Sequence, residues 1–475
     1  MKETTKHASN AASGELRFIK LIHLLGTVAI FFAFWLEFRY KHLNFGVSKA
    51  YRYDYLITAG YAFLLIWFNN TFNSYTLGYF RIRALAFSQF LAEFFSAFIV
   101  YALVCFGWFQ LENPLIFIPM LAAQVVFNCI WSYFATGYYC KLVKNYHTVV
   151  IFRNQSDLIR FGSISGKPVD RLFKIEKYIQ YNEEDFFGLE EQLRGYDCIF
   201  VAGVNPTLMN ALCKYCAETN VRGFFLPHIG DVIMGGAEHI KSFTTPVLSV
   251  RRATKSWEYL FAKRAFDIFA SVCGIILLSP FMIFTAVLIK AYDHGPVFYK
   301  QVRLTKDGKE FEIIKFRSMR TDAEKDGVAR LSTGDKDDRI TPVGRLIRAC
   351  RFDELPQLFN ILRGDMTIVG PRPERPEIAA QYEKDLPEFA LRLQVKAGLT
   401  GYAQVYGKYN SPPYEKLEFD LLYINKMSIL TDLELMFNTV RILFSRESTE
   451  GFESQTWWST DGKKESEKQK DYATV

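Results

Sequence analysis

The chain has 475 residues, 50% of them hydrophobic and 23% charged. That composition excludes a disordered chain and leaves room for about three structural units. The net charge of +7 is mild for this length and does not point to nucleic acid as a partner. Mean hydropathy is +0.02, and 44 Phe, 26 Tyr and 7 Trp lean toward interfacial membrane belts. A mixture of apolar membrane segments and polar domains is therefore expected. Eight cysteines form no disulfide framework. Cys213 and Cys216 make a lone CxxC; a redox or metal half-site would need a second pair or a nearby His, so structural cysteines are the expected reading.

Apolar runs dominate the first third. They are Leu21–Leu36, Tyr55–Phe68, Ala84 to about Phe109, and Pro114–Tyr139. A spanning helix needs about 20 apolar residues, which the last two supply and the first two approach. The expectation is a cytoplasmic segment over 1–17 and a four-helix transmembrane bundle over 18–140. The Glu112 loop carries no Lys or Arg and reads as external, which places Arg81, Arg83, Lys141 and Lys144 inside. Arg39, Lys41, Lys49 and Arg52 run against that orientation. Glu93 is an intramembrane carboxylate and so a functional candidate by default; pairing with Arg83, about three turns away, or a place near the interface is the bland reading.

Over 146–250 the pattern becomes α/β. Val149–Phe152, Asp197–Val201 and Arg222–Leu226 read as buried strands, with a helix over Pro206–Thr219. A parallel, Rossmann-like sheet is expected. A dinucleotide site would need a glycine turn after the first strand, and Arg153-Asn154-Gln155 has none. A regulatory or oligomerisation module is the expected role.

Ile268–Ile289 runs for 22 residues without a charge and is interrupted by Ser279-Pro280. Proline removes one N–H and disturbs the carbonyl of Ile276, and Ser279 offers a hydroxyl. On pattern alone a kinked span and a re-entrant hairpin compete. Phe261–Arg320 holds ten Lys/Arg against five Asp/Glu, a surface suited to anionic head groups.

Four clusters follow. They are Lys315–Met319 after a strand-like Phe311–Ile314, Arg348–Gln357 with the adjacent acids Asp353-Glu354, Gly370–Arg375, and Gly398–Val405. Singly, each has a local reading: a cap, a rigid turn, a hairpin turn. Together they suit phosphate chemistry. Arg binds phosphate oxygens in a planar fork, and a helix start adds orphan N–H groups. A carboxylate can attack phosphorus, and a neighbouring one can hold Mg²⁺. There is no Walker A loop and no HExxH, so an NTPase or zinc protease is not expected.

Lys263-Arg264-Ala265-Phe266-Asp267 before the Ser-Pro helix, with these four clusters in order, resembles the bacterial sugar transferases. These are monotopic polyprenyl-phosphate phosphoglycosyl transferases, whose large members initiate exopolysaccharide, capsule or O-antigen synthesis. The likeness covers about Lys263 to Ser445. Ala397 stands where members often have Pro, and Tyr402 where Trp is common.

The resemblance implies three parts: a membrane helical bundle, a cytoplasmic Rossmann-like domain, and a mixed α/β catalytic domain over 257–445. It implies a re-entrant helix over 265–291, broken at Ser279 and Pro280, and a polar tail follows over 451–475. It further implies transfer of sugar-1-phosphate from a UDP-sugar to undecaprenyl phosphate, with release of UMP. Asp353 would be the nucleophile and Glu354 the Mg²⁺ ligand. Lys315, Arg317, Arg348, Arg372 and Arg375 are the expected phosphate binders. The implied setting is the bacterial inner membrane with the active site at the cytoplasmic face, and a homodimer is compatible with it. The rival expectations are a non-enzymatic scaffold of polysaccharide assembly and a glycosyltransferase releasing UDP.

Overall fold

The computed structural model describes residues 2–42, 47–108, 113–142, 146–164, 172–181, 186–240, 245–321, 323, 337–407 and 411–443. The Glu112 loop and the tail over 451–475 lie outside them. The chain divides into two compact units, Met1–Asp231 and Val232–Val475.

The first unit opens with four helices, α1 (Lys2–His42), α2 (Val47–Thr71), α3 (Ile82–Trp108) and α4 (Phe117–Leu142). Each packs on its two neighbours in a closed ring. Stretches of α1, α3 and α4 are long and apolar enough to cross a membrane; α2 is not among those helices. Its buried Tyr61, Leu65 and Phe68 nonetheless seat it in the ring. Arg39, one of the cations opposing the expected orientation, pairs with buried Asp54 at 3.2 Å, and Trp35 donates to the same carboxylate at 2.9 Å.

The bundle interior is polar at its centre. His23 Nε2 meets Asn128 Oδ1 at 3.0 Å, and Asn128 Nδ2 donates to Glu93 Oε2 at 2.8 Å. Gln124 Nε2 donates to the Tyr61 hydroxyl at 3.0 Å, and Ser132 to Gln89 Oε1 at 3.0 Å. The partner of Glu93 is thus an amide on α4, and the sequence expectation of Arg83 does not hold. The two residues are ten apart on one helix, so both cannot occupy the same depth.

A four-stranded parallel sheet follows, in the order β2-β1-β3-β4. The strands are β1 (Tyr146–Phe152), β2 (Phe173–Gln180), β3 (Cys198–Ala202) and β4 (Arg222–Phe225), with helices α5 (Gln155–Ile164), α6 (Phe186–Leu193) and α7 (Pro206–Thr219). Strand β2 is absent from the sequence reading, because Lys174, Glu176 and Lys177 break its apolar pattern at the sheet edge. Strand β3 is buried throughout and β1 is buried from Thr148 to Phe152, as the interior of a parallel sheet requires. At the mouth between them, Asp157 accepts from the Asn154 N–H at 3.1 Å. It also crowds Gly203, where an added Cβ would lie 2.0 Å from Asp157 Oδ2. An acid fills the corner that a phosphate loop would leave open.

The second unit begins within the short α8 (Ile229–Met234) and a hairpin of β5 (Glu238–Ile240) and β6 (Val247–Ser249). Then α9 runs from Trp257 to Asp293 with Pro280 inside it, so the break expected at Ser279 and Pro280 is absent: the Ser279 hydroxyl takes the Ile276 carbonyl that proline leaves without a donor. It is also long and apolar enough to cross a membrane. Ser256 caps its start by accepting from the Tyr259 N–H, and Ser279 Oγ donates to the Ile276 carbonyl at 2.8 Å. Antiparallel β7 (Phe298–Leu304) and β8 (Glu310–Phe316) come next, then α10 (Pro342–Ala349), α11 (Gln357–Arg363) and β9 (Thr367–Val369). The unit closes with α12 (Pro376–Asp385), β10 (Gly398–Thr400), α13 (Tyr402–Val405), α14 (Pro413–Lys426) and α15 (Ile429–Leu443).

The Lys263–Asp267 motif docks α9 onto this unit. Lys263 Nζ is buried and donates to Asp432 at 2.6 Å and to the Val369 carbonyl at 3.1 Å. Arg264 donates to the last carbonyls of α11, Ile361 and Leu362, at 2.6 and 2.8 Å. Asp267 accepts from Thr367 Oγ1 and the Ile368 N–H. Breaking one partner of a buried pair such as Lys263–Asp432 costs about 3–5 kcal/mol. Farther along the helix, Met282 and Ile289 join Phe316 and Ile347 in a core, with Phe352 and Leu355 packed against it. One unit therefore grips both halves of α9. Between the grips Ile276, Leu277 and Phe281 stay exposed.

Candidate active site

The acidic pair sits in a 3-10 turn, Phe352–Glu354, two residues ahead of α11. The expected helix start is therefore not its setting, and α11 has only 7 residues. Arg351 enters the turn with φ +53°, a left-handed conformation uncommon for a side-chain-bearing residue. Phe352 and Leu355 pack toward α9, so the acids between them are held beside the apolar helix.

Lys315 reaches the pair from β8. Asn360 clamps that strand to α11, donating to the Glu312 carbonyl at 2.7 Å and accepting from the Ile314 N–H at 2.9 Å. Arg372 arrives from the loop after β9. This loop needs glycine at two levels, since a Cβ on Gly398 would lie 2.1 Å from the Gly370 nitrogen. Gly398 and Thr400 pair in parallel with Thr367 and Val369, so the segment expected to be a hairpin turn is a strand.

Glu354 Oε1 accepts from Arg372 Nη2 at 2.8 Å and Lys315 Nζ at 3.3 Å. Among the described residues, Oε2 has only the long ion pair to Arg351, at 3.8 Å. Burial alone pushes this carboxyl up, but Arg372, Lys315 and Arg351 overcome it and hold it well below the usual carboxylate range. Asp353 is half-buried and makes no hydrogen bond or ion pair among the described residues. Burial and then the Glu354 charge push it up to about 6, against Lys315, Arg348 and Arg351. Lys315 is itself lowered by burial, opposed by Glu354. Two carboxylates thus face four cations, Lys315, Arg348, Arg351 and Arg372. The surplus positive charge suits an incoming diphosphate.

The structure brings Asp353, Glu354, Lys315, Arg348 and Arg372 together. It does not bring Arg317 there: this side chain is buried and paired with Asp293 at the end of α9. Arg375 is buried where α12 begins, in the field of Arg303. Ser279 and Pro280 lie in mid-helix on α9. Arg351 was not singled out from sequence. Its signal is its place two residues before the acids, which a helical reading of the segment hides.

A profile of the family described as bacterial sugar transferase matches residues 258–446. The exopolysaccharide production protein PSS of Rhizobium leguminosarum bv. phaseoli is 41% identical over 190 residues, 38% of this chain and 94% of that protein. The chain belongs to the bacterial sugar transferase family. The UDP-N-acetylgalactosamine-undecaprenyl-phosphate N-acetylgalactosaminephosphotransferase of Aeromonas hydrophila is 42% identical over 190 residues, 39% of this chain and 44% of that protein. The UDP-glucose:undecaprenyl-phosphate glucose-1-phosphate transferase of Escherichia coli K12 is 35% identical over 238 residues, 49% of each chain. The matched segment thus spans about half, or less, of these two longer relatives. All of the clustered cations and both acids fall inside it.

Proposed function

We propose that this chain is a phosphoglycosyl transferase of the inner membrane, moving sugar-1-phosphate from a UDP-sugar to undecaprenyl phosphate. The observation that carries this reading is the Asp353 carboxylate, without a hydrogen bond or ion pair among the described residues, set beside a cation-bound Glu354. Asp353 attacks the phosphorus bearing the sugar; an Asp–O–P bond forms and the P–O bond to UMP breaks. The undecaprenyl phosphate oxygen then attacks the same phosphorus, and Asp353 leaves as a carboxylate. Lys315, Arg348, Arg351 and Arg372 take up charge as it moves onto the leaving oxygen, where fixed donors need no reorganisation.

Mg²⁺ fits the donor set. Among the described residues Glu354 Oε2 takes no hydrogen bond, and Asp353 stands next to it. Mg²⁺ asks for one or two protein carboxylates and completes its shell from phosphates and water. Bound there, it would supply further neutralisation of the diphosphate.

The re-entrant reading of α9 draws support from its two grips. Asp267 and Met282 are 15 positions apart, about 22 Å of helix, against a hydrocarbon core of about 30 Å. Between them Gly274 packs against Leu358, where a Cβ would lie at 3.3 Å. Two grips on one polar unit, spaced closer than the hydrocarbon thickness, favour an embedded helix over a span. Its exposed face can still sink into one leaflet, which keeps the site at the cytoplasmic surface where nucleotide sugar and lipid phosphate meet. The parallel-sheet domain, with Asp157 in its crevice, suits a Rossmann-like regulatory or oligomerisation module.

The nucleotide product tests the reading. Purified full-length protein with Mg²⁺, undecaprenyl phosphate and a panel of UDP-sugars should release UMP, and Asp353→Asn should not. UDP as the product would make the protein a glycosyltransferase instead. Inactivity across the panel would favour the scaffold.

A further inference from the structure

The Pro371–Glu374 loop carries Arg372, and its two prolines have no N–H to anchor it. Instead, four successive carbonyls are each taken by a donor from elsewhere. Pro371 O accepts from the Gly398 N–H at 2.9 Å and Glu374 O from the Leu304 N–H at 3.0 Å. Between them, Arg372 O accepts from Arg392 Nη2 at 2.8 Å and Pro373 O from Arg303 Nη1 at 3.1 Å. Two of the four anchors are therefore guanidinium groups, Arg392 buried and Arg303 half-buried.

Arg392 is only 3% exposed and is itself held on several sides. It pairs with Asp420 at 2.7 Å and with Glu374 at 3.7 Å, and lies over the Phe389 ring at 4.8 Å. Arg303 approaches the other oxygen of Glu374 at 4.0 Å. A local fold could satisfy such carbonyls with backbone donors or water at far less desolvation cost than a buried and a half-buried arginine. A planar fork has a specific use here, because it can hold a carbonyl and a carboxylate at once in fixed geometry. The carbonyl in question belongs to the residue whose side chain binds Glu354 at 2.8 Å.

We infer that Arg392, seconded by Arg303, is a positioning residue that fixes the Arg372 backbone and so aims its guanidinium at Glu354 and the substrate diphosphate. This rests on the phosphoglycosyl transferase reading. Neither arginine touches the acidic pair, so each acts through Arg372. A misplacement of about 1 Å in such a group costs on the order of 100-fold in rate.

The test is a double-mutant cycle on the full-length enzyme, scored by UMP release. Arg392→Lys keeps the charge but loses the fork, and should lower kcat by about 10–100-fold. In an Arg372→Met background the same change should cost less than about threefold, since residues acting as a unit are non-additive. Both single variants should lower kcat more than they raise the KM for UDP-sugar, because Arg372 acts on charge that develops on the leaving oxygen. Additive losses, or a loss in Arg392→Lys that falls on KM alone, would overturn the inference. If Arg392→Lys does not fold, Arg303→Lys carries the same cycle through Pro373; failure of both to fold would make the grip merely structural and overturn it too. Wild-type protein that releases no UMP, or an active Asp353→Asn, would instead bring down the parent reading.

Discussion

Glu93 and Glu354 are both buried glutamates, in two different units of the molecule. Glu93 Oε2 meets the neutral Asn128 amide, which passes the contact on to His23, and Oε1 has no hydrogen-bond partner. Glu354 meets Lys315, Arg372 and Arg351. A neutral partner can fix the register of helices in a bundle, since a misaligned amide would be stranded in an apolar interior. A cationic shell larger than the charge it surrounds does something else: it holds positive field ready for a second anion. Phosphate chemistry needs the second arrangement, and burial of a carboxylate by itself does not mark it.

Three variants sharpen that contrast. The largest effect is expected from Asp353→Asn, which should lower UMP release at least about 1,000-fold while leaving the melting temperature at pH 7.5 unchanged or raised. The sign follows from the carboxyl being pushed up to about 6 in the folded protein. Its ionised form costs the fold above that pH, and the cost disappears below an unfolded value of about 3.9. A neutral amide removes it. A large drop in melting temperature would mean that Asp353 is structural.

Glu354→Gln should be intermediate, at about 100–1,000-fold. It also carries a pH signature. In wild-type enzyme, kcat/KM should fall as pH drops through about 6, where Asp353 takes up its proton. Removing the neighbouring negative charge, which raises Asp353, should shift that limb to lower pH. A limb that stays in place would show that another group limits the rate.

The smallest effect belongs to Glu93→Gln. The amide keeps an acceptor for Asn128, so UMP release should stay within about twofold and stability within about 1 kcal/mol, near the net worth of one hydrogen bond. A collapse of activity measured in the same membranes would give the bundle a catalytic part and erase the contrast between the two glutamates.

Much of this was legible before the structure. The buried strands β1 and β3 announce themselves as apolar runs, and α7 starts at Pro206 behind Asn205, which caps it. The acidic pair, Lys315, Arg348 and Arg372 were found as clusters. What escaped has a common cause. Strand β2 is an edge strand with charged residues, so its period is masked. Arg317 has the same local sequence signals as Lys315, two positions earlier. The two point to the same side of an extended chain only while the strand lasts, and β8 ends at Phe316. Arg351 depends on a left-handed turn that no pattern of neighbours specifies. Arg392 and Arg303 act through contacts 20 and 70 residues away in the chain. The Lys263–Asp267 motif shows a different limit: it was recognised as a signature, yet its work of docking α9 appears only with its partners Asp432, Ile361 and Thr367 in place.

The central claim is that Asp353 carries the phosphosugar between two substrates. It is tested most directly by incubating the full-length protein with a UDP-sugar and Mg²⁺ in the absence of undecaprenyl phosphate, then mapping the protein by mass spectrometry. The account predicts one sugar-phosphate adduct on the peptide containing Asp353, formed together with UMP and discharged when undecaprenyl phosphate is added. UMP formed only when the lipid is present, with no adduct at any time, would contradict it.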